Sequence, residues 1–140
     1  MFAWLDRLQP VGGLFLRVVL GAVMVAHGYH KIIPHGALYD FTHFVAKLGM
    51  PAWLGYVAAF TEFFGGMLLI AGLLTRFAAF AVAIDMGVAV FRVHLRGGLT
   101  GPGGFEFPLA LLVIALMLVF TGSGVLALDN MLGRGSTIKR

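Results

Sequence analysis

The sequence predicts an all-α integral membrane fold: a four-helix bundle with a short interfacial helix between the first and second spans. Two observations carry that reading. Of the 140 residues, 60% are apolar and only 11% are charged, against roughly 25% charged in an ordinary soluble domain. A soluble fold of this length cannot hide so much apolar surface. The apolar residues also fall into four tracts, each close to the ~20 residues that cross a ~30 Å hydrocarbon core at ~1.5 Å of rise per residue. A single domain over residues 1–140 accommodates all four.

The first span is expected over about 11–33, ending at Pro34, which cannot continue a helix. Trp4, Leu8, Asp6 and Arg7 in the stretch from Met1 to Gln9 read as an interfacial lead-in. This first tract lacks a small-x-small cleavage site and is taken as a retained helix, not a secretory signal. Between the spans, Asp40 is placed to cap a short helix in which Phe41, Phe44, Val45 and Leu48 recur at i, i+3, i+4 and i+7, with Gly49 and Pro51 as its stop. That helix is too short to cross and is expected to lie along the membrane surface. The second, third and fourth spans are expected over about 52–74, 77–95 and 105–120. Only Thr75 and Arg76 join the second to the third, which makes them antiparallel neighbours. Gly97 to Gly104, with five glycines and a proline, forms a tight connection.

Charge and cysteine content exclude several functions. Ten Lys and Arg against six Asp and Glu give a net charge of +4, but the basic residues lie at tract ends and not in a patch interleaved with aromatics. Nucleic acid is therefore not expected as a partner. The chain has no cysteine, which rules out thiol relays, disulfides, Cys-ligated zinc and iron–sulfur sites, and with them the four-helix disulfide-forming membrane oxidoreductases. Arg7, Arg76, Arg134, Lys139 and Arg140 on one side, against Lys31, Lys47, Arg92 and Arg96 on the other, place both termini in the cytoplasm.

The chemistry should reside in the polar residues inside apolar tracts, because an ionisable group at the bilayer centre costs at least ~2.5–3.5 kcal/mol and needs a partner. Glu62 falls near the middle of the second span among Gly55, Ala58, Gly65 and Gly66, a small-residue face that points it into the bundle. It reads either as a carboxylate that holds helices in register or as a proton-carrying or ligand-binding group. Asp85 falls at similar depth in the third span, beside a small-residue seam of Ala79, Ala83 and Gly87, with Arg92 and Arg96 at i+7 and i+11 on its stripe. Pairing with Arg17 or Arg92 is the preferred reading for Asp85. Glu62 is expected within reach of Arg17 or Asp85.

A second group gathers at one membrane face. His27, His30 and Lys31 end the first helix at the depth of Arg92, His94 and the glycine-rich loop, and Glu106 opens the fourth helix there. Depth alone predicts a polar pocket between the first, third and fourth spans, although Lys31 and Arg96 taken singly read as snorkelling side chains. Glu62, His94 and Glu106 are the candidate catalytic groups, and Arg17, His27, Lys31, Asp85 and Arg92 the candidate substrate-binding ones. Haem held by His27 and His94, or a metal held by His27, His30 and Glu106, is the weaker reading. No metal or resident cofactor is therefore expected.

The runs LFLRVVLGAVMVAHGYHK, FTHFVAKLGMPAWLGY, FTEFFGGMLLIAGLLTR and HLRGGLTGPGGFEFPLALL, in this order from about Leu14 to Asp129, resemble the DoxX family of small bacterial and archaeal membrane proteins. The resemblance rests on Arg17, Gly21, His27, Gly28, Lys31, Glu62, Gly65, Gly66, Gly72, Arg76, His94, Glu106 and Pro108. Asp85 and Arg92 are read from periodicity alone. The resemblance implies a four-helix bundle of the cytoplasmic membrane. It also implies a tie to quinone-linked oxidoreduction, including thiosulfate oxidation by quinone, and to membrane oxidoreductase complexes that answer oxidative stress. A quinone is thus the candidate substrate. With no Rossmann glycine signature and no cysteine, a redox role needs a protein partner or a diffusible reductant. Membrane lipid, other protein subunits or a second copy of the chain are the expected partners. The competing readings are a non-enzymatic scaffold subunit, and a small transporter coupled to protons through Glu62 and Asp85.

Overall fold

The computed structural model describes residues 3–134, and among them every regular element is a helix. The tail carrying Ser136, Lys139 and Arg140 lies outside the described residues. A 3-10 turn at Ala3–Leu8 leads directly into α1 (Gln9–Ile32), whose first turn holds Pro10, where a missing N–H is harmless. There follow α2 (Ala37–Lys47), α3 (Trp53–Ala71), α4 (Thr75–Gly97), α5 (Glu106–Thr121) and α6 (Leu128–Arg134). Helices α1, α3 and α4 are long and apolar enough to cross a membrane, and α5 is a shorter apolar helix of 16 residues. Phe15, Phe77, Phe91 and Phe120 face outward, each at least 65% exposed. Such an apolar exterior suits lipid as the solvent, and the molecule is a membrane helical bundle.

The helix ends follow from glycine geometry and from one remote carboxylate. Helix α2 starts at Ala37 after Gly36 in the left-handed region (φ 80°), so Asp40 lies inside the first turn and is not the cap. Helix α3 stops at Ala71, short of the expected end. Gly72 takes φ 68°, and the N–H groups of Gly72 and Leu73 return to the carbonyls of Leu69 and Leu68, the Schellman pattern in which only glycine adopts the turn without strain. At the start of α4, the Asp129 carboxylate accepts from the N–H groups of Leu74 (2.7 Å) and Thr75 (2.9 Å), so the cap comes from α6.

Packing is governed by small residues. A Cβ at Gly21 of α1 would lie 2.6 Å from the Gly66 carbonyl oxygen, and one at Gly66 would lie 2.7 Å from that of Gly21. The backbones of α1 and α3 therefore touch. The other glycines of α3 serve different neighbours: Gly55 meets Thr42 of α2, and Gly65 meets Val82 of α4. Leu20, Met24, Leu69, Val82, Ala115 and Leu118 fill the centre between α1, α3, α4 and α5. A Cβ at Gly87, assigned from the sequence to a seam, would meet nothing within 4 Å among the described residues.

Both α3 and α4 widen into a π turn, over Thr61–Gly65 and Ala89–His94. A π turn adds one residue to a helical turn, about 100° of rotation for everything beyond it. The stripe expected to join Asp85 to Arg92 and Arg96 is broken for that reason.

Candidate functional site

The site begins where α1 meets the π turn of α3. A Cβ at Gly28 would lie 2.5 Å from the Phe63 nitrogen, so glycine at this point lets the end of α1 seat directly on that turn. One turn further on, the Lys31 Nζ donates to both carboxylate oxygens of Glu62, at 2.5 and 2.6 Å. Glu62 is 2% exposed. The Lys31 ammonium also lies 4.4 Å from the centre of the Phe41 ring on α2, a cation–π contact. Asp85 of α4 comes up beside the Glu62–Lys31 pair, and its Oδ2 is buried without a hydrogen-bond partner among the described residues. One ammonium therefore faces two carboxyl groups.

This triad lines the polar part of a cavity of about 500 Å³ enclosed by α1, α2, α3 and α4. Phe41 and Val45 of α2 with Leu48 just after it form one wall, and Ile84 and Val88 of α4 form another. His27 and His94 complete the lining. The His94 Nδ1 lies 3.1 Å from the Gly103 carbonyl in the glycine-rich loop, which fixes the ring at the end of the π turn. His27 packs against Phe107 of α5, ring centres 5.8 Å apart. Among the described residues no three His, Asp or Glu side chains come together as metal donors.

Of the residues singled out in the sequence, Lys31, Glu62, Asp85, His27 and His94 share this cavity, and three do not. Arg17 is at the other end of the bundle. It is 1% exposed and donates to the carbonyls of Leu69, Ile70, Val125 and Leu126, so it binds the C-terminal dipole of α3 to the segment before α6. The expectation that it pairs with Asp85 or Glu62 is overturned by that placement. Arg92, turned away by the π turn, is exposed and donates to the Leu48 carbonyl at the end of α2 (3.0 Å). Glu106 is exposed at the start of α5 and takes no part in the cavity. The pocket expected between the first, third and fourth spans lies instead beneath α2, among the first three. It joins the mid-depth carboxylates to the histidine face, two features that sequence reasoning kept apart. The Lys31–Glu62 pair was missed because counting residues puts the two at different depths. The available signal was Gly28, one turn before Lys31.

Comparison with known proteins gives a consistent result. The sequence profile of the DoxX family matches residues 12–95. A protein of Bacillus subtilis (strain 168) named putative oxidoreductase CatD is 32% identical over 131 residues, covering 94% of each chain. A Haemophilus influenzae protein described as uncharacterized is 35% identical over 90% of this chain and 94% of its own. The inner membrane protein YqjF of Escherichia coli (strain K12) is 24% identical over 93% and 98%. No solved structure matches.

Proposed function

Because the chain belongs to the DoxX family of membrane proteins, we propose that it is a membrane subunit of a quinone-linked oxidoreductase system whose cavity receives the quinone ring. The observation that carries this reading is the Lys31–Glu62–Asp85 triad in a largely apolar cavity of about 500 Å³. A cavity of this size suits a small ring, and a few convergent polar groups in apolar walls are what such a ligand needs for orientation. Lys31 and His94 offer donors to ring oxygens. With one ammonium between two carboxyls, a proton on one of the carboxyls balances the charge, and that proton is within reach of a bound ring. Reduction of a quinone to its quinol takes up two electrons and two protons. The electrons come from a partner subunit or a diffusible reductant, and the triad with His94 handles the protons. The oxidoreductase name of the Bacillus relative supports the same assignment. On this reading the chain resides in the cytoplasmic membrane of a bacterium or archaeon.

The test is quinone retention and turnover in the purified protein. Quinone extracted from wild type in mild detergent should be near stoichiometric by mass spectrometry. Glu62→Gln, which keeps shape and hydrogen bonding but removes the charge, should lose quinone-linked activity while melting like wild type. If Glu62→Gln keeps full activity, the carboxylate is structural glue. If no quinone is retained and the same variant instead sheds a co-purifying protein, the scaffold role takes its place.

A further inference from the structure

A second apolar concavity, a groove of about 470 Å³, runs along the outer side of α3 and α4 and shares Val57, Thr61 and Ala81 with the lining of the cavity. Its walls are aromatic, with Phe60 and Phe64 stacked 5.9 Å apart on α3 and Phe77 on α4, and its floor holds Gly65 and Ala78. Helices α3 and α4 are tied together at Gly72–Leu74 and touch mainly through Thr61–Ala71 of α3. Toward their other ends they part, and the cavity opens there, with Val57 and Ile84 half exposed to the hydrocarbon at its edge. We infer that this gap is a lateral portal and the groove a tail subsite, so that the ligand enters from the bilayer and is an amphiphile with an uncharged polar head and a single apolar chain.

Continuity of groove and cavity sets the geometry: a head at Lys31, Glu62 and Asp85 places its chain past Ala81 and down the groove toward the α3–α4 turn. From Thr61 to Leu68 that path is about 10 Å long at ~1.5 Å of rise per residue. The class of head follows from depth. Glu62 is halfway along α3, where a permanently charged phospholipid head would have to leave the interface and lose its hydration. An uncharged ring with hydrogen-bonding oxygens dissolves at that depth. The inference uses the quinone reading only for the identity of the head, and the tail subsite stands or falls separately.

The full-length chain in lipid nanodiscs provides the test, with a benzoquinone carrying a decyl chain and the same ring without it, each titrated at known mole fraction in the bilayer. The wild type should bind the decyl form about threefold or more tightly, a gain from packing contacts and not from leaving water, since the chain starts in lipid. Ala81→Phe places a ring where groove meets cavity and should bring the ratio of decyl to chainless affinity to about one; the ratio is read within the one variant, because Ala81 also borders the head's cavity. Ala81→Leu repeats the block with a smaller side chain should the first variant fail to fold. An unchanged chain preference in a folded, blocked variant overturns the tail subsite and spares the head site. If neither ring binds wild type, the quinone reading fails, and a long-chain alcohol with a diazirine in its chain decides the groove alone. Saturable labelling around Phe60, Phe64 and Phe77 that Ala81→Phe removes supports it. Labelling that rises without saturation, like that of a diazirine phospholipid, overturns it.

Discussion

Glu62 lies buried in the middle of an apolar helix because Lys31 gives both of its oxygens a donor. Removing the cation alone strands the carboxylate, so Lys31→Met should lower stability by about 3 kcal/mol, while Lys31→Met combined with Glu62→Leu should recover most of that loss. Thermal melts in detergent read both; equal losses in the single and double variants would mean that the pair is not what Glu62 depends on. At the other end of the molecule, burial works to raise the Asp129 carboxyl, but the N–H bonds from Thr75 and Leu74 and the nearby Arg17 outweigh it and hold the group below the usual carboxylate range. A lowered carboxyl contributes fully above its unfolded value of about 4 and loses that contribution as pH falls through the folded value. Asp129→Asn should therefore melt earlier at neutral pH, by roughly the ~1 kcal/mol of a helix cap, and the gap from wild type should close below about pH 4. A gap that persists in acid would assign the effect to shape and not to charge. At this scale Glu62 and Asp85 were legible in the sequence, because the cost of an intramembrane carboxyl demands an explanation wherever one occurs. The pairing of Lys31 with Glu62 was not, since a lysine at a helix end, taken singly, reads as snorkelling until its partner's position is known.

The seam between α1 and α3 sets how closely those two helices approach, and through Gly28 it sets whether Lys31 reaches Glu62 at all. Gly21→Ala would put a methyl 2.6 Å from the Gly66 carbonyl, and overpacking of this kind costs about 1–3 kcal/mol. Gly87→Ala in the middle of α4 meets nothing within 4 Å and should be neutral or stabilising by up to ~1 kcal/mol. Paired melts of the two variants check the seam, and equal behaviour would show that α1 and α3 give way more easily than their backbone contact implies. The helices themselves were readable from apolar length and from Pro34, Gly49 and Pro51 as stops. Two things were not. The π turns at Thr61–Gly65 and Ala89–His94 leave composition unchanged but rotate the helix beyond them, which is why Arg92 bonds to Leu48 and leaves the stripe of Asp85. Helix α6 was missed because seven residues after Leu126 are too few for periodicity to register, and its anchoring contact, Asp129 on the start of α4, joins positions 54 and 55 residues apart.

The orientation of the whole molecule follows from how it distributes its cations. By sequence, Arg7, Arg76, Arg134, Lys139 and Arg140 oppose Lys31, Lys47, Arg92 and Arg96, a narrow margin. The structure changes the count at Lys31. Lys31 is drawn into the bundle by Glu62 and ceases to act as a loop charge, which leaves Lys47, Arg92 and Arg96 against five. By the preference for positive loops in the cytoplasm, we expect the end bearing Arg76 and α6 to face inside and the end bearing His94 to face outside. Because the chain has no native cysteine, single cysteines report this directly. His35→Cys lies in the exposed turn between α1 and α2, and Met131→Cys lies on the exposed face of α6, at 71% exposure in the wild type. A membrane-impermeant maleimide applied to intact cells should modify the cysteine at 35 and reach the one at 131 only after lysis. Modification of the cysteine at 131 from outside, with that at 35 protected, would reverse the orientation and turn the His94 end to the cytoplasm.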